Sequence, residues 1–122
     1  MLTLAFVLLG AAVLLGSVLG VFHLRSERAA PPWSVAALHG LVGVFGFSCI
    51  AFALRGPPRG VEQGAASFGV IAAVLIGLAA LIGVGLFVMR LLKRRTPGIL
   101  LGIHATLAVG GFVVLLAYVL AG

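Results

Sequence analysis

Residues 31–47 read PPWSVAALHGLVGVFGF, and residues 96–112 read TPGILLGIHATLAVGGF. These two stretches coincide when the chain is displaced on itself by 65 positions without a gap. The informative matches are Phe22 with Phe87, Arg25 with Arg90, Pro32 with Pro97, His39 with His104, Gly46 with Gly111 and Phe47 with Phe112. Because most of these residue types are scarce in a chain rich in Leu, Ala and Val, we interpret the matches as an internal repeat, about 2–54 and 66–121.

Four apolar segments account for nearly all of the chain. They span about residues 2–23, 33–54, 66–91 and 97–121, and each is near or above the ~20 residues that a membrane-crossing helix needs. Charged residues make up 8% of the chain, against about 25% in an ordinary soluble domain. We therefore predict one all-α domain over residues 1–122, an integral membrane up-and-down four-helix bundle made of two tandem helical-hairpin repeats.

Basic residues are distributed unequally among the three connections. The second connection is flanked only by Arg55 and Arg59. The first and third are flanked by Arg25, Arg28, Arg90, Lys93, Arg94 and Arg95. By the positive-inside rule we expect these two connections in the cytoplasm and both termini outside it, in a bacterial inner membrane. The net charge of +6 follows from this bias, and without a soluble basic domain it does not indicate nucleic-acid binding.

His39 and His104 lie inside apolar segments that are otherwise almost bare of ionisable groups. Each follows a proline, Pro32 or Pro97, by seven residues, so both lie about 10 Å below the same membrane surface at 1.5 Å per residue. The second and fourth helices of such a bundle run in the same direction and face each other diagonally. Because an imidazole in hydrocarbon is costly unless it has a partner, we expect the two side chains to form a functional site.

A b-type haem is the cofactor that best suits two imidazoles at one depth. Haem iron takes axial nitrogen ligands, and the apolar ring suits the core of a helical bundle. We predict one haem b per chain, with His39 and His104 as the iron ligands. The chain has three histidines, which suffice for only one such pair.

Six further residues are predicted to contact this cofactor. The two glycines each follow their histidine by seven residues on the same helix face and would leave room for a flat macrocycle. The two phenylalanines would pack against its edge, and the two arginines would pair with its anionic propionates. These residues are Gly46, Gly111, Phe47, Phe112, Arg25 and Arg90.

With His39 and His104, and with Gly46 and Gly111 seven residues after them, the chain resembles small membrane b-type cytochromes. These are cytochrome b561-like proteins and the haem-bearing membrane anchors of respiratory dehydrogenases. The resemblance covers the architecture of the whole chain and no long motif. It implies an electron-transfer subunit of a larger respiratory or photosynthetic complex, with other membrane subunits as partners and a quinone as a further candidate. Cytochrome b561 proteins commonly carry a second histidine pair, which this chain lacks, so its electron relay would stay near the cytoplasmic leaflet.

Two alternative functions are compatible with the same sequence. A membrane histidine can also ligate the magnesium of a bacteriochlorophyll, and the apolar lining would serve equally well. A cofactor-free accessory subunit would explain the short loops, and Gly16 and Gly20, with Gly85 as a partial echo, form a small-residue stripe suited to helix contacts. Transport and catalysis are disfavoured, because the apolar segments contain no Asp or Glu and no nucleophile–base–acid set.

Overall fold

The computed structural model describes residues 1–25 and 31–122, and over these residues it is all-helical. Each helix is long and apolar enough to cross a membrane. The helices are α1 (Leu2–Arg25), α2 (Trp33–Ala53), α3 (Phe68–Leu91) and α4 (Gly98–Leu120). The predicted all-α membrane bundle of four helices is confirmed, and the predicted segments match the helices to within a few residues. Arg28, one of the basic residues counted for orientation, lies outside the described residues.

Prolines and glycines set the ends of the helices. The first residue of α2 follows Pro32, and the first residue of α4 follows Pro97. A proline there costs little, because the first turn of a helix leaves its backbone N–H groups unbonded in any case. The connection between α2 and α3 turns at Gly60 and Gly64, with φ of 65° and 72°. Glycine adopts these left-handed conformations without the penalty that a side chain would bring.

The helices pack as two hairpins. α1 packs against α2 and α3 against α4, and the hairpins meet where α1 contacts α4 and α2 contacts α3. α2 and α4 therefore face each other across the diagonal and run in the same direction. We call the end of the bundle that carries Arg25, Arg90 and Lys93 the basic end. The opposite end, which carries Met1 and Gly122, is the termini end.

The core occupies the half of the bundle nearer the termini end. Its largest fully buried side chains are Ile50 and Leu115, one from each hairpin. The buried residues of the four helices are Ala5, Leu9, Ala12, Gly46, Ile50, Gly69, Ala72, Ile76, Ala79, Gly111, Leu115 and Tyr118. On the basic side of these residues, the described parts of the helices contain no buried residue. The bundle is thus closely packed at the termini end and looser toward the basic end.

The two hairpins repeat the same internal contact. Gly46 of α2 lies against Leu9 of α1, and Gly111 of α4 lies against Ile76 of α3. The two glycines are displaced by 65 positions in the sequence, whereas Leu9 and Ile76 are displaced by 67. The structural repeat therefore has a register of 65 between α2 and α4 and of 67 between α1 and α3.

This change of register alters which residues of α1 and α3 correspond. At a displacement of 67, the counterpart of Arg25 is Leu92, and the counterpart of Phe87 is Gly20. The sequence matches of Arg25 with Arg90 and of Phe22 with Phe87 thus do not join equivalent positions of the bundle. The reason is that the second hairpin is two positions shorter between its packed residues, Ile76 and Gly111, than the first is between Leu9 and Gly46. An ungapped comparison cannot allow for this difference.

Candidate functional site

The imidazoles of His39 and His104 meet between α2 and α4. Their ring centroids lie 6.0 Å apart, and their ring planes are inclined at 78°. Both side chains are half-buried, just beyond the packed core on the side of the basic end. The structure therefore brings together the two histidines that the repeat paired.

A backbone carbonyl of the neighbouring helix orients each imidazole. His39 Nδ1 lies 2.8 Å from the carbonyl oxygen of Ala12 on α1, and His104 Nδ1 lies 2.8 Å from that of Ala79 on α3. A carbonyl oxygen only accepts hydrogen bonds, so each Nδ1 carries the proton and donates it. In the neutral ring the lone pair is then on Nε2, which is the nitrogen that can ligate a metal.

A glycine on the neighbouring helix gives each imidazole its space. A Cβ at Gly16 of α1 would stand 2.9 Å from His39 Cε1, and a Cβ at Gly83 of α3 would stand 3.0 Å from His104 Cε1. Any other residue at either position would have to displace the ring. Each histidine is thus seated on its own hairpin by one carbonyl and one glycine.

Among the residues that the structure describes, the two imidazoles are a pair of possible metal ligands without a third close by. No group of three or more His, Cys, Asp or Glu residues lies close enough there to hold a metal ion together. A multi-ligand zinc or iron site is therefore not available among these residues. Two facing imidazoles instead suit a metal whose remaining coordination positions a cofactor already fills.

Phe47 and Phe112 pack across the interface between the hairpins, on the termini side of the histidines. The ring of Phe112 stacks on Phe6 with centroids 5.1 Å apart, and it lies 3.3 Å from the Cβ position of Gly10 on α1. The ring of Phe47 lies 3.3 Å from the Cβ position of Gly77 on α3. Each ring follows its histidine by eight residues, about 12 Å along the helix. The pair closes the interior of the bundle beneath the imidazoles.

Gly46 and Gly111 have a packing role in the structure. A Cβ at Gly46 would stand 2.8 Å from Leu9 Cγ, and a Cβ at Gly111 would stand 2.7 Å from Ile76 Cγ1. Both glycines are buried within their own hairpins, where they allow the two helices to approach closely. This contact accounts for their presence, and a contact with a cofactor stays a prediction.

Arg25 lines a cavity beside the basic half of α1. The cavity is an open groove with a volume of about 480 Å³. Its lining residues are Ser17, Val18, Val21, Phe22 and Arg25. Ser17 lies at the end of the cavity away from Arg25, and neither His39 nor His104 lines it. The cavity extends from Ser17 to a positive charge at the basic end.

Arg90 lies on the other side of the bundle, between α2 and α3. Its guanidinium donates a hydrogen bond to the carbonyl oxygen of Pro31, and it lies 5.7 Å from the centre of the Trp33 ring. Trp33 in turn packs on Phe87, with ring centroids 5.1 Å apart. The two arginines that the sequence paired are thus in different surroundings.

Sequence reasoning did not identify the carbonyls of Ala12 and Ala79 or the seat at Gly83. A signal for them exists, because three pairs of identical residues are separated by 67 positions. These pairs are Gly10 with Gly77, Ala12 with Ala79 and Gly16 with Gly83. A comparison that allowed a two-residue gap between the helices of a hairpin would have aligned them. No family model, curated protein or solved structure matches this chain.

Proposed function

We propose that this chain is a membrane electron-transfer subunit that binds one b-type haem between His39 and His104. The observation that carries the proposal is the facing pair of imidazoles, each with its Nδ1 proton engaged and its Nε2 lone pair available. A hydrogen bond from Nδ1 to a carbonyl is the usual support of a metal-bound histidine, because it fixes the ring and raises the basicity of the ligating nitrogen.

The separation of the two rings fits a single metal ion between them. A metal–imidazole bond is about 2 Å long, and the centre of the ring lies about 1 Å beyond the nitrogen, so a metal ion held between two Nε2 atoms would need ring centres about 6 Å apart. The observed value is 6.0 Å. This spacing is compatible with a shared metal ion, and it is equally that of an edge-to-face contact between two rings.

The surroundings supply the other requirements of haem. The helices are apolar throughout, which suits the macrocycle, and the bundle is loosely packed on the basic side of the histidines. Arg25 lines the cavity on α1 at the basic end, so a cation is available on that side for the propionates. The residues present therefore fit the group.

In this proposal the residues of the chain hold the haem and orient the two imidazoles. His39 and His104 would hold the iron through Nε2, and the carbonyls of Ala12 and Ala79 fix their tautomers. The packed core below Phe47 and Phe112 separates the site from the termini end. A bound haem would supply one-electron redox chemistry. Because the histidine pair lies nearer the basic end, the electron would be exchanged with partners at that side of the membrane.

The proposal is tested by the optical spectrum of the purified protein, with haem supplied during expression. We expect a low-spin b-type spectrum with a reduced α-band and one haem per chain. His39→Leu and His104→Leu should each lose haem or hold it weakly in a high-spin state. His23→Leu is the matched control, because His23 lies exposed near the end of α1, and it should keep the low-spin spectrum.

Three outcomes would contradict the proposal. Bacteriochlorophyll bands would assign the histidines to a pigment, and a chain without any chromophore would support a cofactor-free accessory subunit. A spectrum lost in His23→Leu but kept in His104→Leu would place the ligands elsewhere.

A further inference from the structure

The two sides on which the hairpins meet differ at the basic end. On the α2–α3 side, Trp33 at the start of α2 packs on Phe87 of α3, and Arg90 reaches the Pro31 carbonyl beside them. These bulky groups fill the interface just where the bundle is otherwise loosely packed. The α2–α3 side is therefore closed by side chains at the level between the histidines and the basic end.

The α1–α4 side has glycines at the corresponding positions. In the register of the structural repeat, Trp33 of α2 corresponds to Gly98 of α4, and Phe87 of α3 corresponds to Gly20 of α1. A Cβ at Gly20 or Gly98 would meet no atom within 4 Å. The same is true of Gly102, one turn further along α4. The side that would be closed by symmetry is thus left open.

The cavity beside α1 belongs to this open side. Gly10 lies on the face of α1 that contacts Phe112 of α4. Ser17 and Val21, which line the cavity, follow Gly10 by seven and eleven residues and lie on the same face. The cavity therefore runs along the edge of α1 beside that contact, and residues of α1 alone line it. It is apolar along Val18, Val21 and Phe22 and ends at Arg25.

We infer that the gap between α1 and α4, bounded by Gly20 and Gly98, is the lateral opening through which haem enters the bundle. This inference rests on the proposed haem site. Haem is a flat apolar ring with two carboxylates on one edge. The α1 edge of the opening is apolar and has the guanidinium of Arg25 at its membrane-surface end. The ring would slide between the hairpins toward the histidines, and its carboxylates would remain at Arg25. The Trp33–Phe87 pair blocks the equivalent route on the opposite side.

The test is the rate at which the haem-free protein, produced under haem limitation and purified in detergent, takes up added haemin. The double variant Gly20→Phe, Gly98→Trp places a pair like Phe87 and Trp33 between α1 and α4, and we call it the closed variant. We expect this closed variant to form the low-spin Soret band at least about tenfold more slowly than the unmodified chain, equivalent to about 1.4 kcal/mol in the barrier.

Two further variants separate blocked entry from damage to the fold. Gly85→Phe adds a ring at an exposed glycine of α3 with no neighbour within 4 Å, and it should load at the unmodified rate. A fourfold variant that adds Trp33→Gly and Phe87→Gly to the closed variant moves the opening to the other side. It should recover rapid uptake, which a chain disturbed by the bulky residues would not do.

The outcomes distinguish the opening from the haem site itself. Uptake by the closed variant at the unmodified rate would overturn the lateral opening while leaving the haem site intact. Slow uptake by both the closed and the fourfold variant would also overturn it, because the defect would then not follow the position of the bulky pair. An unmodified chain that forms no low-spin Soret band would overturn the haem site and the opening together.

Discussion

The imidazole of His39 occupies space on α1 that a side chain at Gly16 would need, since a Cβ there would stand 2.9 Å from His39 Cε1. The same relationship joins His104 to Gly83 on α3. Each histidine is thus fixed by the helix beside it rather than by the helix across the bundle. The two hairpins present their imidazoles to each other as preformed halves of one site.

The first prediction follows from this seat. Gly16→Ala and Gly83→Ala should each push an imidazole away from its carbonyl partner, because 2.9 to 3.0 Å is too close for a Cβ contact. We expect a shifted or partly high-spin haem spectrum in both variants. Gly20→Ala is the control, since a Cβ there meets nothing within 4 Å and should leave the spectrum unchanged. Normal spectra from the Gly16 and Gly83 variants would show that the seat does not constrain the rings.

The second prediction concerns the packing within a hairpin. Gly46→Ala brings a Cβ to 2.8 Å from Leu9 Cγ and 3.2 Å from the backbone nitrogen of Leu9, which cannot yield easily. We expect a loss of about 1–3 kcal/mol in the free energy of unfolding, the usual cost of overpacking a core. Gly40→Ala, on the same helix with no neighbour within 4 Å, should be neutral or slightly stabilising. Equal stabilities in denaturant titrations would contradict the close contact.

The fold could be predicted from the sequence because the signals were local. Lengths of apolar chain near the bilayer thickness gave four helices, and Pro32 and Pro97 marked where two of them begin. The approach of His39 to His104 was also predictable, since the repeat gave both residues the same depth on helices that an up-and-down bundle places diagonally.

The details of the site depended on register, which the ungapped repeat could not supply. The second hairpin has two positions fewer between Ile76 and Gly111 than the first has between Leu9 and Gly46. An ungapped comparison that aligns α2 with α4 therefore misaligns α1 against α3 by two positions. Arg25 and Arg90 were therefore paired although they lie on different sides of the bundle. The sequence could not separate the packing role of Gly46 from a cofactor contact, because a helix-packing glycine and a cofactor-lining glycine have the same spacing.

The third prediction tests the orientation of the bundle. The basic end carries Arg25, Arg90 and Lys93, so the positive-inside rule places it in the cytoplasm and the termini outside. A reporter that is active only in the cytoplasm should give no signal when fused after Gly122. The same reporter inserted next to Lys93 should be active. Strong activity of the fusion at Gly122 would reverse the orientation.

The fourth prediction concerns the cation in the cavity. Arg25→Gln should weaken haem retention about tenfold or more, because a hydrogen bond to a charged group contributes about 1.5–3 kcal/mol. Arg59→Gln makes the same chemical change near the termini end, where the backbone N–H of Arg59 donates to the Tyr118 hydroxyl, and should have no effect on retention. The measurement is haem transfer to an excess of a haem-scavenging protein. Equal transfer rates for the two variants would argue against a propionate contact at Arg25.

The central claim is that His39 and His104 are the two axial ligands of one haem, and electron paramagnetic resonance of the ferric protein tests it most directly. The imidazole planes are inclined at 78°. Nearly perpendicular planes leave two iron d orbitals close in energy, so the account predicts a strongly anisotropic low-spin signal with a large maximal g value, lost in His39→Leu and His104→Leu. A rhombic low-spin signal of parallel imidazoles would contradict the ring geometry. A high-spin signal, or protein without haem, would contradict the ligation itself.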